Sequence, residues 1–449
     1  MQSDVVVIGS GVSGLTAAVD LSSHGFSVLL VEQKQHFGGR TYSFLHKETG
    51  DEVDNGQHLM MGCYRSTLKF LATIGALSSI TIQKNLSVAF QHSERGVFRL
   101  QAVSLPAPLN VLVGLLRLKS LTLLQRLSLL RVGVALVFAR PNDDAKLQSQ
   151  TVSEWLDGLD QPEVNKKYLW DILAIGTLND SPAVVSAALF VRVLQSVFLG
   201  RRMNSSMVIP KRGLSALLVD PAIQYLTQNK NRVLTSTGVD RLLINDGSVS
   251  GVVLTSGETV PTRAVISAVP YFDAPRIFGE GAPLVELQST ESFVSSAIVT
   301  VHLWFDKNFI DEEFVALLDS PIHWVFNKSK IYGKGEGKIA YLSLVISGAA
   351  NFVEREKEEI VALAVSELSR FYPHCADRKL MHSLVIKEKR ATFSPRVGVE
   401  RFRPSHTTSV KNLFLAGDWT DTKLPATIEG AAQSGYACSG LARKMLRNA

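Results

Sequence analysis

The run "DVVVIGSGVSGLTAAVDLSSHGFSVLLVE", Asp4 to Glu32, constrains the fold more than any other part of the chain. A short apolar strand, Asp4–Ile8, runs into Gly9-x-Gly11-x-x-Gly14. A helix follows with Leu15, Ala18 and Leu21 on one face, Gly25 ends it, and "SVLLVE" forms a second strand closing on Glu32. Each glycine has a separate reason to be there. Gly9 makes the tight turn, Gly11 admits a pyrophosphate to the backbone, and Gly14 lets helix and strand pack closely. The first helical residues, Val12 and Ser13, present N–H groups that no intrahelical acceptor uses, which suits a phosphate. Glu32 stands where an acid accepts the adenosine ribose hydroxyls. The expectation is a dinucleotide-binding α/β domain at the N-terminus.

Two further segments extend the ligand beyond NAD. Gly38-Gly39-Arg40 brings backbone against the same ligand again, with Arg40 able to meet phosphate, and "DNGQH" places Gly56, Gln57 and His58 after an extended stretch. Near the other end, "NLFLAGDWT" reads as a strand, Leu413–Ala416, ending in Gly417-Asp418, and a helix begins at about Thr427. Gly417 permits close backbone approach, Asp418 can accept from a ribityl hydroxyl, and the helix start at Thr427 and Ile428 aims a positive dipole end at a reduced flavin. A longer cofactor lying across the domain, FAD, accounts for all of these together.

With those residues in view, the chain resembles the flavin amine oxidase and phytoene desaturase superfamily. "DNGQHLMMGCY" and "AGDWTDTKLPATIEGAAQSG" are similar to the squalene-associated FAD-dependent desaturases, the hydroxysqualene dehydroxylases. The resemblance implies an α/β fold: a Rossmann-type FAD-binding domain with a discontinuous mixed α+β substrate domain. The cofactor domain is expected at 1–65, 206–285 and 396–449, and the substrate domain at 66–205, mostly helical, and 286–395. Val239 matches the family position whose backbone lies against the adenine. The implied activity is reductive dehydroxylation of hydroxysqualene to squalene, with reduced FAD as hydride donor and His58 as the acid for the departing oxygen. The rivals are a carotenoid desaturase running the flavin in the opposite direction, a flavin amine oxidase, and a non-catalytic isoprenoid carrier. Intact Gly9, Gly11, Gly14 and Glu32 favour an enzyme over the carrier. The electron donor is unidentified: a diffusing partner, a quinone or a reduced pyridine nucleotide.

Charge adds a second theme. The formal charge is +6, and residues Arg95 to Asn142 hold seven basic residues and no acid, so this segment carries the whole excess. That argues against nucleic acid as a partner and for one local anionic contact. Within it, "LLRLKSLTLLQRLSLLR" (Leu115–Arg131) is leucine at more than half its positions. Leu116, Leu123, Leu127, Leu130 and Val134 form one helical stripe, while Leu118, Leu121 and Leu129 lie off it. Such a segment suits peripheral contact, through residues 105–140, with an anionic membrane that supplies an isoprenoid lipid. The alternative is a core helix whose arginines pair with distant acids. Cys63, Cys375 and Cys438 fit no metal spacing and read as reduced thiols, so no metal is expected. The implied location is the cytoplasm, at the inner face of the membrane.

Overall fold

The computed structural model describes residues 3–278, 285–333 and 339–448. The sequence GKGEGK, Gly333–Lys338, reads as a flexible hairpin turn rather than a phosphate loop, and its residues 334–338 lie outside the described residues. Two seven-stranded sheets organise the chain.

The first sheet is built from both chain ends. Ser3–Ile8 pairs in parallel with Val28–Val31 on one side and with Thr259–Ser267 on the other. Arg232–Leu234 extends one edge in parallel. The strand Thr259–Ser267 forks. Its C-terminal half takes Leu413–Leu415 in parallel, and its N-terminal half takes Ser248–Leu254 antiparallel, followed by Val239–Asn245. Val5, Val6, Val7, Leu29 and Leu30 are fully buried, as strands covered on both faces require. In such a sheet ligands bind outside the carboxyl ends of the parallel strands, where Gly9, Glu32 and Gly417 stand.

The helix Val12–Ser23 and the C-terminal helix Ile428–Asn448 pack side by side on this sheet. Gly435 makes that possible: a Cβ there would fall 2.4 Å from the Ser13 carbonyl oxygen and 2.8 Å from Thr16 Cβ. Backbone-to-backbone contact thus joins the two ends of the sequence.

The second sheet runs Leu380–Phe393, Ser295–Phe305, Ala340–Ser347, Trp324–Asn327, Phe314–Leu317, Ser87–His92, Gly96–Gln101. All neighbours are antiparallel except Phe314–Leu317 with Ser87–His92. Alternation assigns the faces. Val299, Val301 and Leu303 pack under the helix Lys357–Phe371 through Ile360, Ala364 and Leu368. The segment 66–205 is mostly helical, and Ile80–Ile82 with the Ser87–Gln101 hairpin add strands to it. The hairpin's three-residue loop turns through Gly96 at φ +75°, a short connection between two apolar runs.

Two buried histidines on this sheet give the fold a pH signature. His302 Nδ1 meets the Tyr341 hydroxyl at 2.9 Å, and His323 Nδ1 accepts from the Ser347 N–H at 3.1 Å. Burial pushes their pKa values down from 6.5 to about 3 and about 4. Both rings are neutral when folded and take a proton more readily when unfolded. Their contribution is therefore complete above roughly pH 6.5 and is lost as pH falls towards the folded values. Within that window each adds a slope of about 1.4 kcal/mol per pH unit. Urea unfolding should show constant stability from pH 8 to 7 and a steepening loss below 6.5. A flat profile down to pH 5 would contradict the assignment.

Candidate flavin site

The glycine loop folds as its spacing demands. Gly9 has φ +95°, and a Cβ there would press on the Ala268 carbonyl oxygen at 2.9 Å. A Cβ on Gly14 would lie 2.0 Å from the Gly9 carbonyl oxygen, so helix and turn are in backbone contact. Gly11 is different: a Cβ there would meet nothing within 4 Å. It is also the N-cap of the helix, with no side chain capping the first turn. The open face at Gly11 and the uncapped N–H groups at Val12 and Ser13 fit a pyrophosphate.

Glu32 ends its strand and reaches back. Its Oε2 accepts from the Ser10 N–H (3.0 Å) and Ser10 Oγ (2.7 Å), and its Oε1 from the Lys34 N–H (3.0 Å). A carboxylate has about four acceptor positions, so roughly one remains for a ribose hydroxyl. Beyond Glu32 a cleft of about 590 Å³ is lined by Gln33, Lys34, Ser236, Val239, Thr255 and Arg276. Val239 thus reaches the region beyond the ribose acid, where an adenine would lie.

Gly38 and Gly39, both at positive φ, fold over the glycine loop. The Gly38 N–H donates to Ser10 Oγ at 3.1 Å, and a Cβ on Gly39 would stand 3.3 Å from Gly11 Cα. Arg40 and Asp418 meet each other: Nη2 lies 2.8 Å from both carboxylate oxygens, and Nη1 donates to the Ala391 carbonyl at 2.6 Å. This ion pair joins the Gly39 and Gly417 segments, and it partners two groups that the sequence offered separately to phosphate and ribityl.

At the C-terminal motif, the Gly417 N–H donates to Ser434 Oγ (2.9 Å), and Thr427 Oγ1 caps the last helix by accepting from the Gly430 N–H (3.1 Å). The helix starts at Ile428, within a residue of expectation. Glu429 points away from the motif and caps a second helix, Arg65–Thr73, through the Ser66 and Thr67 N–H groups, both at 2.9 Å.

Gly56, Gln57 and His58 are partly accessible, in a segment deep in the molecule. Burial, opposed by Asp54, lowers the His58 pKa to about 4. At pH 7 that direction favours the neutral ring.

Three contributors escaped the sequence. Arg403 is buried and donates to the carbonyls of Leu424 (2.7 Å) and Asp418 (2.9 Å), to that of Thr420, and to Thr422 Oγ1 (2.8 Å), holding the whole loop after Asp418. Lys328 is buried against Asp54 at 2.8 Å, and Tyr332 donates to the same carboxylate at 3.2 Å. Arg403 lies only fifteen residues before Asp418, next to Pro404, the one place where a signal could be sought.

Gly9, Gly11 and Gly14, Glu32, the Gly38-Gly39 pair and the start of the C-terminal helix thus converge at one sheet edge, an arrangement that fits the FAD of a flavin-dependent oxidoreductase. The sequence profile of flavin-containing amine oxidoreductases matches residues 12–441, and the chain belongs to that family. It is 28% identical over 449 residues to a hydroxysqualene dehydroxylase of Rhodopseudomonas palustris, covering 98% of each chain. It is 24% identical over 454 residues to a 15-cis-phytoene desaturase of Narcissus pseudonarcissus, covering 97% of this chain and 78% of the plant one. Among solved structures, an oxidoreductase from Methanosarcina mazei superimposes with a TM-score of 0.75 at 16% identity, over 96% of this chain and 99% of its own. A cyclohexylamine oxidase from Brevibacterium oxydans gives 0.72 at 19% identity, over the full length of both.

Gly11 and Gly14 separate cofactor binding from folding. Gly11→Val should leave the apoprotein's thermal midpoint nearly unchanged, yet weaken FAD by more than about tenfold, ~1.4 kcal/mol, because its side chain enters the open face. Gly14→Ala should destabilise the apoprotein itself. Equilibrium dialysis with FAD and apoprotein melting check both.

Proposed function

We propose that the protein converts hydroxysqualene to squalene, drawing its substrate from an anionic membrane surface. The main support is end-to-end similarity to hydroxysqualene dehydroxylases, 98% of both chains for the Rhodopseudomonas palustris protein and 98% and 99% for that of Sinorhizobium fredii. When bound, reduced FAD would supply a hydride to the carbon, and the hydroxyl would leave with a proton as water. On this reading the segments 1–65, 206–285 and 396–449 grip the cofactor, and 66–205 with 286–395 enclose the isoprenoid. His58 is proposed as the acid that delivers this proton to the carbinol oxygen, taking up another from solvent. The residues assigned to the cofactor are Gly9, Gly11, Val12, Ser13, Gly14, Glu32, Gly39, Arg40, Gly56, Gln57, His58, Val239, Gly417, Asp418, Thr427 and Ile428.

The leucine segment supports the membrane part. The helix Leu123–Phe138 buries Leu129, Val132 and Leu136. Its opposite face leaves Leu123 (67%), Leu124 (79%), Val134 (58%) and Phe138 (77%) exposed. The stripe read from the sequence is thus largely the outward one, and the leucines off it, Leu118, Leu121 and Leu129, are the buried ones. Arg131 pairs at 2.8 Å with exposed Asp160, and Arg126 donates to the Leu121 carbonyl at 2.8 Å. Among the described residues no acid pairs with Arg117, Lys119 or Arg140. A water-facing apolar stripe with unneutralised cations beside it matches an interface of acyl chains and anionic head groups. Among the described residues no helix is long and apolar enough to cross a membrane. The contact proposed is peripheral, at the cytoplasmic face.

The direct test is anaerobic: flavin-reduced protein is mixed with hydroxysqualene and the lipids are extracted. Squalene should appear in proportion to enzyme-bound FAD, and its absence, with phytoene instead desaturated by the oxidised protein, would transfer the assignment to the desaturases. For the membrane, the Leu124→Glu/Phe138→Glu variant should keep its FAD. Its sedimentation with phosphatidylglycerol vesicles should weaken by more than about tenfold, since each side chain contributes roughly 1.5–3 kcal/mol on burial. Equal sedimentation of wild type and variant would remove this helix from the contact.

A further inference from the structure

The buried lysine that the proposed chemistry does not use is Lys328. It opens the short helix Lys328–Ile331, whose N-cap Asn327 holds the Lys330 N–H at 3.2 Å, and its side chain is only 1% exposed. A charge so placed loses several kcal/mol of hydration and persists only with complete partners. Lys328 has them: Nζ donates to Asp54 Oδ2 at 2.8 Å and to Gln57 Oε1 at 2.6 Å, and lies 4.3 Å from the Tyr332 ring centroid. Asp54 is equally saturated, accepting also from the Leu214 N–H (2.8 Å), Ser43 Oγ (2.7 Å) and the Tyr332 hydroxyl (3.2 Å). Neither group has a free valence for a substrate. Their work is mechanical.

That work falls on Gln57. With Oε1 fixed by Lys328, its amide turns Nε2 to the His58 carbonyl at 3.3 Å. One lysine from the second sheet's end is thereby linked through the Gln57 amide to the His58 backbone. We infer that Lys328 is a positioning residue: it fixes the Gln57 amide, and through it the polar edge that the Asp54–His58 segment presents to the flavin. The inference rests on the reading that places this segment beside the isoalloxazine.

Two variants test it. Gln57→Leu removes only the acceptor and leaves the Lys328–Asp54 pair whole. Lys328→Met/Asp54→Leu removes both buried charges together, avoiding the unpaired carboxylate that Lys328→Met alone would strand. Each is purified with FAD, and the flavin's visible absorption, midpoint potential and stoichiometry are measured without substrate. Both should keep stoichiometric FAD and shift the absorption and the potential in the same direction. If Gln57→Leu shifts them and the double variant does not, Lys328 has no part in positioning and the inference falls. If neither shifts them, the segment does not face the flavin, and the placement beneath the inference falls with it. Should the double variant fail to fold, Gln57→Leu decides alone: unchanged flavin properties overturn the proposal. Since no substrate enters, a wrong isoprenoid assignment leaves these readouts intact.

Discussion

Backbone against backbone, at Gly14, Gly39 and Gly435, is the contact on which the rest of the molecule depends. Gly14 lies on the Gly9 carbonyl, Gly39 on Gly11, and Gly435 on Ser13 and Thr16. Any side chain at Gly14 or Gly435 would push helix from turn or helix from helix. Interiors are too densely packed to absorb such displacements cheaply. The consequence reaches beyond packing. It locks the first and last segments of the chain into one layer, so the glycine loop and the Thr427 helix start share an edge. A cofactor spanning that edge meets groups distant in sequence but fixed by the shortest contacts available to a polypeptide.

The loops over that edge need another device, because they have no strand ladder to satisfy their polar groups. Buried charge held by several partners supplies it. Arg403 gathers the carbonyls of the loop after Asp418, Glu429 caps the helix Arg65–Thr73, and Lys328 with Asp54 ties the segment before His58 to the second sheet. Removing one partner of such a pair costs about 3–5 kcal/mol, far more than an exposed pair like Arg131–Asp160, worth at most about 1 kcal/mol. Rigidity at this edge is thus obtained by placing charges where they cannot relax, which on the proposed function suits a site that holds a flavin in one orientation.

What could be read from the sequence follows the same division. The Gly9–Gly14 spacing, Glu32 and the Gly417 strand-to-helix turn encode local backbone shape, and local shape is legible. The partners of Lys328 and Arg403 are not, since Asp54 lies 274 residues from Lys328 and nothing in either neighbourhood announces the other. The strand Leu380–Phe393 escaped for a different reason. It stands at the sheet's edge and carries Lys387, Glu388, Lys389 and Arg390, which break the apolar alternation. Charge on an edge strand discourages pairing with other chains, and it erases the pattern by which strands are recognised. The Ser87–Gln101 hairpin lies inside a segment whose apolar runs read as mostly helical.

The leucine helix shows how one pattern can serve two solvents. Its core-facing residues and its outward residues are equally apolar, so periodicity alone could not tell which stripe was buried. Burial decides: Val132 is 0% exposed and Leu124 79%. In water alone the outward face is a liability, for each leucine left exposed forgoes roughly 1.5–3 kcal/mol of transfer energy and invites aggregation. The proposed substrate turns that liability into a requirement. A long isoprenoid dissolves in the bilayer and hardly at all in water, so an enzyme that floated free of the membrane would meet almost none of it. A face that recovers its transfer energy only at the bilayer places the enzyme where its substrate is. On that proposal Arg117, Lys119 and Arg140, which no acid pairs among the described residues, would add affinity for the anionic surface without adding apolar area. On the proposed function, the exposed stripe and the buried flavin edge answer one physical problem, the meeting of an insoluble chain with a cofactor that must be held in a polar cradle.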